Sequence, residues 1–426
     1  MSLSNIYIII YIALWFITSI IYWRKKKQFG VGNLLLASYF LYAVLSFFLY
    51  NNEWTGSEFG DLKLFPFIYL FVLMLIASLP VLKYEERSLI QRPTLSLINL
   101  LVYIYVVSTL LVLPYILVDV KDGIILILTT DTGGDELYQE YRNYGVVERE
   151  WSLYNIFKIF FNFFRDFGVL LFFYYATLKE KKDWLLITMG IAIIVSMLES
   201  LAHGLRTSIT MKLLAVLFTY FLFRTKLPRQ VNKIMKIIGG YLLGFVLLYI
   251  IIVNYSRYSE GSYGNYQLLN YSGQANLYFN KYALDAGGIR YGDRTFAMFK
   301  SWLPFDNVPR DFLECREKYP NMRFDDSRFS TFIGDFALDF GPVGAAILII
   351  FFSLIFLRLT KGRKNTILFH QLILIFFVME VCVQGAFYLF NFSFDNNIRI
   401  VYLFLFYLLF KWDYDTVGSK NFSNSY

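Results

Sequence analysis

The ionisable residues of the stretch Glu199-Ser-Leu-Ala-His203-Gly-Leu-Arg206 fall at positions i, i+4 and i+7 of a largely apolar run. On a helix that spacing puts them on one face. A carboxylate, an imidazole and a guanidinium held together can bind an anion and move a proton. Such groups are costly in an apolar setting and face a cavity or one another, so the stripe is a candidate site. The alternative is an interfacial cap in which Gly204 ends the helix. Arg165-Asp166 lies inside another apolar run, and counting back from Lys179 at 1.5 Å per residue sets Arg165 about 20 Å from the basic end of that run. Pairing of Arg165 with Asp166 or Asp339 is the structural reading.

Further candidates lie toward the C-terminus. Arg323-Phe-Asp325-Asp326-Ser-Arg328 leads into Phe332-Ile-Gly-Asp335 and Asp339-Phe340-Gly341, and Asp335 and Asp339 are four apart on one helix face. These carboxylates can act as a general base on a hydroxyl or hold neighbouring arginines in place. Between 255 and 330 arginine is the preferred cation, with Arg257, Arg290, Arg294, Arg310, Arg316, Arg323 and Arg328 against three lysines. A guanidinium grips phosphate or carboxylate bidentately, so this segment suits a diphosphate or an acidic sugar. Pairing with the nine acidic residues of the same segment is the alternative for each arginine. Glu380 and Gln384 share a face of a late helix, with Arg399 opening the next, and read as a polar seam between helices. The tyrosines of 255–282 can stack on sugar faces or form a membrane-interface belt.

The elements that must position these groups are membrane-spanning helices. Of the 426 residues, 57% are hydrophobic, 20% aromatic and only 17% charged, more apolar surface than a soluble domain can hide. Runs long enough to cross a bilayer fall near 6–23, 33–50, 63–82, 95–118, 156–178, 183–202, 207–224, 235–254, 331–357, 366–390 and 397–411. The expected fold is therefore an all-α transmembrane helix bundle of about eleven spans, a single integral membrane domain over 1–426. Two outer segments, 119–155 and the larger, partly helical 255–330, exceed ordinary loop lengths. Short helical pieces are expected near 275–286, 294–303 and 310–318.

The net charge of +8 sits in short loops between the apolar runs, with no basic, aromatic-interleaved module of the kind that binds nucleic acid. Placing Arg24 to Lys27, Lys83, Arg87, Arg92, Lys179 to Lys182, Arg224 to Lys236 and Arg358 to Lys364 in the cytoplasm puts the N-terminus outside and the C-terminus inside. The first run has an uncharged leader and is followed by Arg24-Lys-Lys-Lys27, which reads as a retained helix rather than a cleaved signal. Two cysteines, Cys315 and Cys382, and two histidines, His203 and His370, give neither a disulfide framework nor a metal cluster.

Gly204-Leu-Arg206-Thr207, Tyr291-Gly-Asp-Arg294-Thr-Phe296, and Phe332-Ile-Gly-Asp335 to Asp339-Phe340-Gly341 with Gly344, set in this layout of spans and outer loops, resemble one family. It is that of the Wzy-type O-antigen or oligosaccharide repeat-unit polymerases of bacterial surface polysaccharide assembly. The resemblance is nearly full-length in architecture, while its motifs are short. An arginine followed after ten residues by glycine can be read from Arg323 to Gly334, whereas Arg142 and Arg149 offer no such match in the first outer loop. The resemblance implies a GT-C-like, metal-independent and cofactor-free glycosyltransferase of the bacterial inner membrane. Its partners would be polyprenyl-diphosphate-linked oligosaccharides, membrane lipids and a chain-length regulator. At the periplasmic face it would pass one lipid-linked glycan to the non-reducing end of another. Contact with the diphosphate and glycan then falls to Arg206, Arg165 and Arg294, next to Arg290, Arg323 and Arg328, with Glu199 and Asp339 beside them. Candidate bases are His203, Asp326 and Asp335. Rival readings are an O-antigen ligase, a flippase or transporter of lipid-linked sugars, and a scaffold for polysaccharide export.

Overall fold

The computed structural model describes residues 2–129, 153–257, 261–305, 307–325, 328–362, 365–389 and 394–423. In chain order its helices are α1 (Leu3–Lys26), α2 (Val31–Tyr50), α3 (Leu64–Lys83), α4 (Leu95–Thr129), α5 (Leu153–Phe163), α6 (Phe167–Thr177), α7 (Asp183–Ala202), α8 (Arg206–Phe223) and α9 (Arg229–Arg257). There follow α10 (Gly261–Tyr278), α11 (Ala297–Ser301), α12 (Phe312–Lys318), α13 (Thr331–Leu359), α14 (Phe369–Gln384) and α15 (Phe394–Ser423). The strands β1 (Leu89–Gln91) and β2 (Thr366–Leu368) have three residues each.

Eight of the described helices, α1 to α4, α7 to α9 and α13, are long and apolar enough to cross a bilayer. The chain is an all-α, multi-pass membrane protein. The exposed face of α13 shows what such a helix meets: Val343 and Ile347 are 74% and 62% exposed, and Phe351 and Leu354 continue the stripe. Hydrocarbon, unlike water, accepts that stripe without penalty. The other expected spans take different forms. The 156–178 run is two helices, α5 and α6, separated by a turn at Phe164 to Asp166. The 366–390 run is the shorter α14, and 397–411 is the apolar first half of α15.

Two expected outer segments begin or end in helix. α4 continues past 118 to Thr129, because Gly123-Ile-Ile-Leu-Ile-Leu carries no breaker beyond its single glycine. The tyrosine-rich part of 255–330 is likewise helical in α10, which ends in a wider turn at Phe279–Ala283. α11 and α12 match the other expected short helices, and Asp311 caps α12 by accepting from the N–H groups of Leu313 and Glu314 at 2.7 and 2.9 Å.

The described residues form two compact units, each discontinuous in sequence. The first comprises residues up to Glu85, Asn265–Ile367 and Leu374–Phe404; the second comprises Glu86–Gly264, Leu368–Ile373 and the chain from Leu405 onward. In the first, α1 packs on α2 and α3, and α3 packs on α13. Trp15 is fully buried there between Tyr39 and Phe71, with ring centroids at 4.8 and 4.7 Å. Lipid tails are as apolar as leucine, so helices associate in a membrane through close backbone approach and interhelical hydrogen bonds. Gly273 of α10 supplies the approach, since a Cβ there would lie 2.8 Å from the Leu45 carbonyl oxygen of α2. Ser46 then donates to the Gly273 carbonyl at 2.8 Å, Asn276 donates to Ser46 at 3.0 Å, and Tyr11 donates to Asn276 at 3.2 Å. In the second unit α4 packs on α5 and α7, and α6 packs on α7 and α8.

Candidate functional site

The second unit gathers charge at the far end of α7. Its last turn carries Glu199, and His203 caps it. Gly204 takes a left-handed φ of 63°, which turns the chain so that Arg206 opens α8. The single-helix stripe expected from the i, i+4, i+7 spacing is thereby corrected: Glu199 lies in α7, His203 is the cap that follows it, and Arg206 belongs to the next helix. Glycine, free of a Cβ, ends the first helix where the alternative reading placed its cap. The bend is tied by Leu205 N–H donating to the Ser200 carbonyl at 2.9 Å and by the Ser200 and Ser208 hydroxyls at 2.9 Å.

Around this bend the cations converge. Lys158 Nζ of α5 lies 3.1 Å from Glu199 Oε1, and the charges of Lys212 and Arg165 also act on Glu199. The turn between α5 and α6 positions Arg165, and it is fixed by Gly168 N–H donating to the Phe164 carbonyl at 2.6 Å. A Cβ on Gly168 would sit 2.7 Å from the Tyr105 ring, so glycine lets α6 lie this close to α4 without displacing that ring. Lys212, one turn and a half into α8, donates to the Ser196 carbonyl. Arg206 is buried at the first residue of α8, where the aligned peptide dipoles add positive charge and the N-cap residue Leu205 supplies no side-chain acceptor. Burial pushes His203 below the ordinary imidazole value and Lys158 adds to the shift, against opposition from Glu199 and Asp119. A neutral imidazole is the form that can take a proton. The charges of Lys158, Arg165 and Lys212 thus act on one partly buried carboxylate, with Arg206 buried two residues beyond the Gly204 turn.

The first unit holds a second cluster, at the entry to α13. Arg290 and Asp339 are both fully buried, with Arg290 Nε 2.8 Å from Asp339 Oδ1, and Thr295 N–H donates to Asp339 Oδ2 at 2.8 Å. Asp335 is buried as well; its Oδ1 accepts from the Ser330 hydroxyl at 3.2 Å and its Oδ2 from Leu389 N–H at 2.6 Å. Asp293 is buried and takes Lys318 at 2.6 Å, the Tyr319 hydroxyl at 2.7 Å, and Lys300. Burial alone would raise the Asp293 carboxyl, but Lys300, Lys318 and Tyr319 outweigh it and hold it below the usual aspartate range. Arg294 is buried in the same segment. The sequence after this cluster turns at Gly341, whose φ of 73° and ψ of 165° break α13 just before Pro342.

Other predicted residues have surface roles. Arg323 pairs with Asp285 at 2.8 Å, both well exposed. Arg328 lies 3.7 Å from Glu58 and 5.7 Å over the Tyr278 ring. Asp326, predicted as a base, lies outside the described residues, as do Arg142 and Arg149 of the first outer segment. The Glu380 seam forms as expected: Gln384 donates to Glu380 at 2.9 Å, and Arg399 donates to Gln384 at 3.5 Å.

Sequence reasoning passed over Lys158, Lys212, Asp293 and Glu58. The signal for the two lysines was present, since each is a cation inside an apolar run. Asp293 stood within the Tyr291 to Phe296 motif, but its lysine partners lie 7 and 25 positions away. Glu58 collects hydrogen bonds from Tyr266 and Tyr278 over more than 200 positions, which no local pattern announces. No protein-family model, curated protein or solved structure matches this chain.

Proposed function

We propose that this chain is a metal-independent glycosyltransferase that polymerises polyprenyl-diphosphate-linked oligosaccharide repeat units at the periplasmic face of a bacterial inner membrane. The observation that carries the reading is the cation-rich bend of the second unit, where the charges of Lys158, Arg165 and Lys212 act on Glu199, His203 caps the same helix and the buried Arg206 opens the next. A net excess of cations in such a place is expensive, even with Glu199 paired to Lys158. An anionic ligand that itself belongs to the membrane, a lipid diphosphate, offsets that cost and explains why the groups are there.

The chemistry follows from the roles these groups can fill. The acceptor hydroxyl oxygen forms a bond to the anomeric carbon of the donor, and the bond from that carbon to the diphosphate oxygen breaks. The proton of the hydroxyl passes to a base, for which His203 is the first choice and Asp326 and Asp335 the others; Asp335 already holds Ser330 and Leu389. Negative charge grows on the departing diphosphate, where Arg206, Arg165 and the α8 N-terminus stabilise it. Arg294, Arg323 and Arg328 are further candidate contacts for the diphosphate or glycan, while Arg290 and Asp339, fully buried and paired, position the segment that carries Arg294.

The reading also takes the fold as GT-C-like with eleven crossings, counting α5 with α6 as one broken span and adding α14 and the first half of α15. It places the N-terminus in the periplasm and the C-terminus in the cytoplasm. The test is loss of the protein in cells that make such a polysaccharide. A polymerase leaves single repeat units attached to the final acceptor, and finding none attached replaces this reading with that of a ligase.

A further inference from the structure

At the other end of α4 the second unit contains a cavity of about 120 Å³, lined by residues that precede α4, the start of α14 and the late part of α15. A space of that size has room for a phosphate-sized group. Its walls offer hydrogen-bond donors. His370 is only 8% exposed, yet its imidazole lines the cavity without a hydrogen bond to any other described residue. The Thr94 hydroxyl is buried there and likewise has no partner among the described residues. Arg92 lines the same space from an exposed position and makes no ion pair among the described residues.

The acid in the wall is already engaged. Asp413 Oδ2 accepts from Thr94 N–H at 2.8 Å, while Lys411 and Asp415, whose charges also reach His370, oppose one another. What remains is a guanidinium, an imidazole and a hydroxyl converging on one small space, beside the positive end of the 35-residue α4. Donors of this kind are satisfied by the oxygens of a phosphate. The flanks say what carries it: Leu89, Leu95 and Trp412 are exposed beside the cavity. Apolar and tryptophan side chains turned outward at the ends of spans mark the boundary between hydrocarbon and headgroups.

We propose that this cavity binds the phosphate of a membrane phospholipid, held by Arg92, His370 and Thr94. Asp119, at the charged bend, lies on the same helix roughly 35–40 Å further along at 1.5 Å per residue. The lipid site is thus distinct from the glycosyl-transfer site and stands whether or not that reading survives.

Native mass spectrometry of the full-length protein in detergent tests it, with dioleoyl phosphatidylglycerol, dioleoylglycerol and inorganic phosphate as separate probes. The phospholipid should be retained and dioleoylglycerol should not. Arg92→Gln and His370→Gln should each weaken retention tenfold or more, with Arg92→Lys in between. Equal retention of dioleoylglycerol, or unchanged retention in Arg92→Gln, overturns the site. Inorganic phosphate binding as tightly as the phospholipid overturns the lipid source. Because Arg92 is exposed, its replacement leaves the packing intact, so the Arg92 result decides even if the His370 variant fails to fold.

Discussion

Arg206 owes its place to a glycine. Gly204 turns the chain between α7 and α8, and the arginine that follows opens a helix at the bend where Lys158, Arg165 and Lys212 act on Glu199. If these groups stabilise a departing diphosphate, Arg206→Ala lowers kcat by about 10² to 10³ in extension of a lipid-linked repeat unit, the range for removing one such donor. Protein abundance in the membrane should hold; a scaffold would keep its normal chain lengths in this variant. His203 gives a pH test. Its shift is downward from the ordinary imidazole value, so the neutral, proton-accepting form persists to lower pH than usual. Activity should fall only as pH drops through that depressed value, and His203→Gln should remove this acid limb of the kcat profile. An unchanged limb in the variant assigns the base elsewhere. Arg165, Glu199, His203 and Arg206 were legible from their types, because charge inside an apolar run is conspicuous. That Lys158 pairs with Glu199 was not, because the partners are 41 positions apart and meet only when α5 and α7 share a neighbour in α4.

At the scale of elements, two interruptions and one clamp position the chemistry. The α5 to α6 break presents Arg165 from within what the sequence reads as one span, and its Phe164 to Asp166 turn carries no glycine or proline to announce it. The Gly341 break and the Gly273 contact lie at residues whose type does announce them, but whose neighbours only the fold supplies. Gly273→Val should abolish accumulation of the protein in the membrane, since its Cβ meets the backbone of Leu45 and Ser46 rather than a movable side chain. Normal accumulation would show that α10 does not rest on α2. Asp293 clamps the segment before α13 by holding Lys300, Lys318 and Tyr319. Asp293→Asn should cost about 1–3 kcal/mol, read as a lower thermal midpoint of the purified protein. The sign with pH follows from the carboxyl being held low: the clamp is complete above the ordinary aspartate value and is lost as pH falls through the depressed one. The wild type should therefore lose this increment only in acid, and the variant should show no such step.

At the scale of the whole molecule, the apolar runs were legible because crossing a bilayer demands little more than length, and eight of them are long apolar helices. The grouping into two units was not, because α14 and α15 each divide between them, and nothing in local composition marks where a helix changes partners. Orientation carries the functional reading, since a periplasmic reaction requires the bend at Gly204 to face outward. A cysteine at Ser57 should react with a membrane-impermeant thiol reagent in intact cells, and one at Glu180 only after the membrane is opened; the reverse pattern removes the periplasmic site. Polymerisation itself is measured by incubating the purified protein with a defined polyprenyl-diphosphate-linked repeat unit and separating the products by length. The expected product is a ladder of lipid-linked dimers and longer chains that collapses to the single unit in Arg206→Ala. A wild-type protein that leaves every repeat unit single, while moving it between leaflets or passing it to a different acceptor, would contradict the polymerase reading.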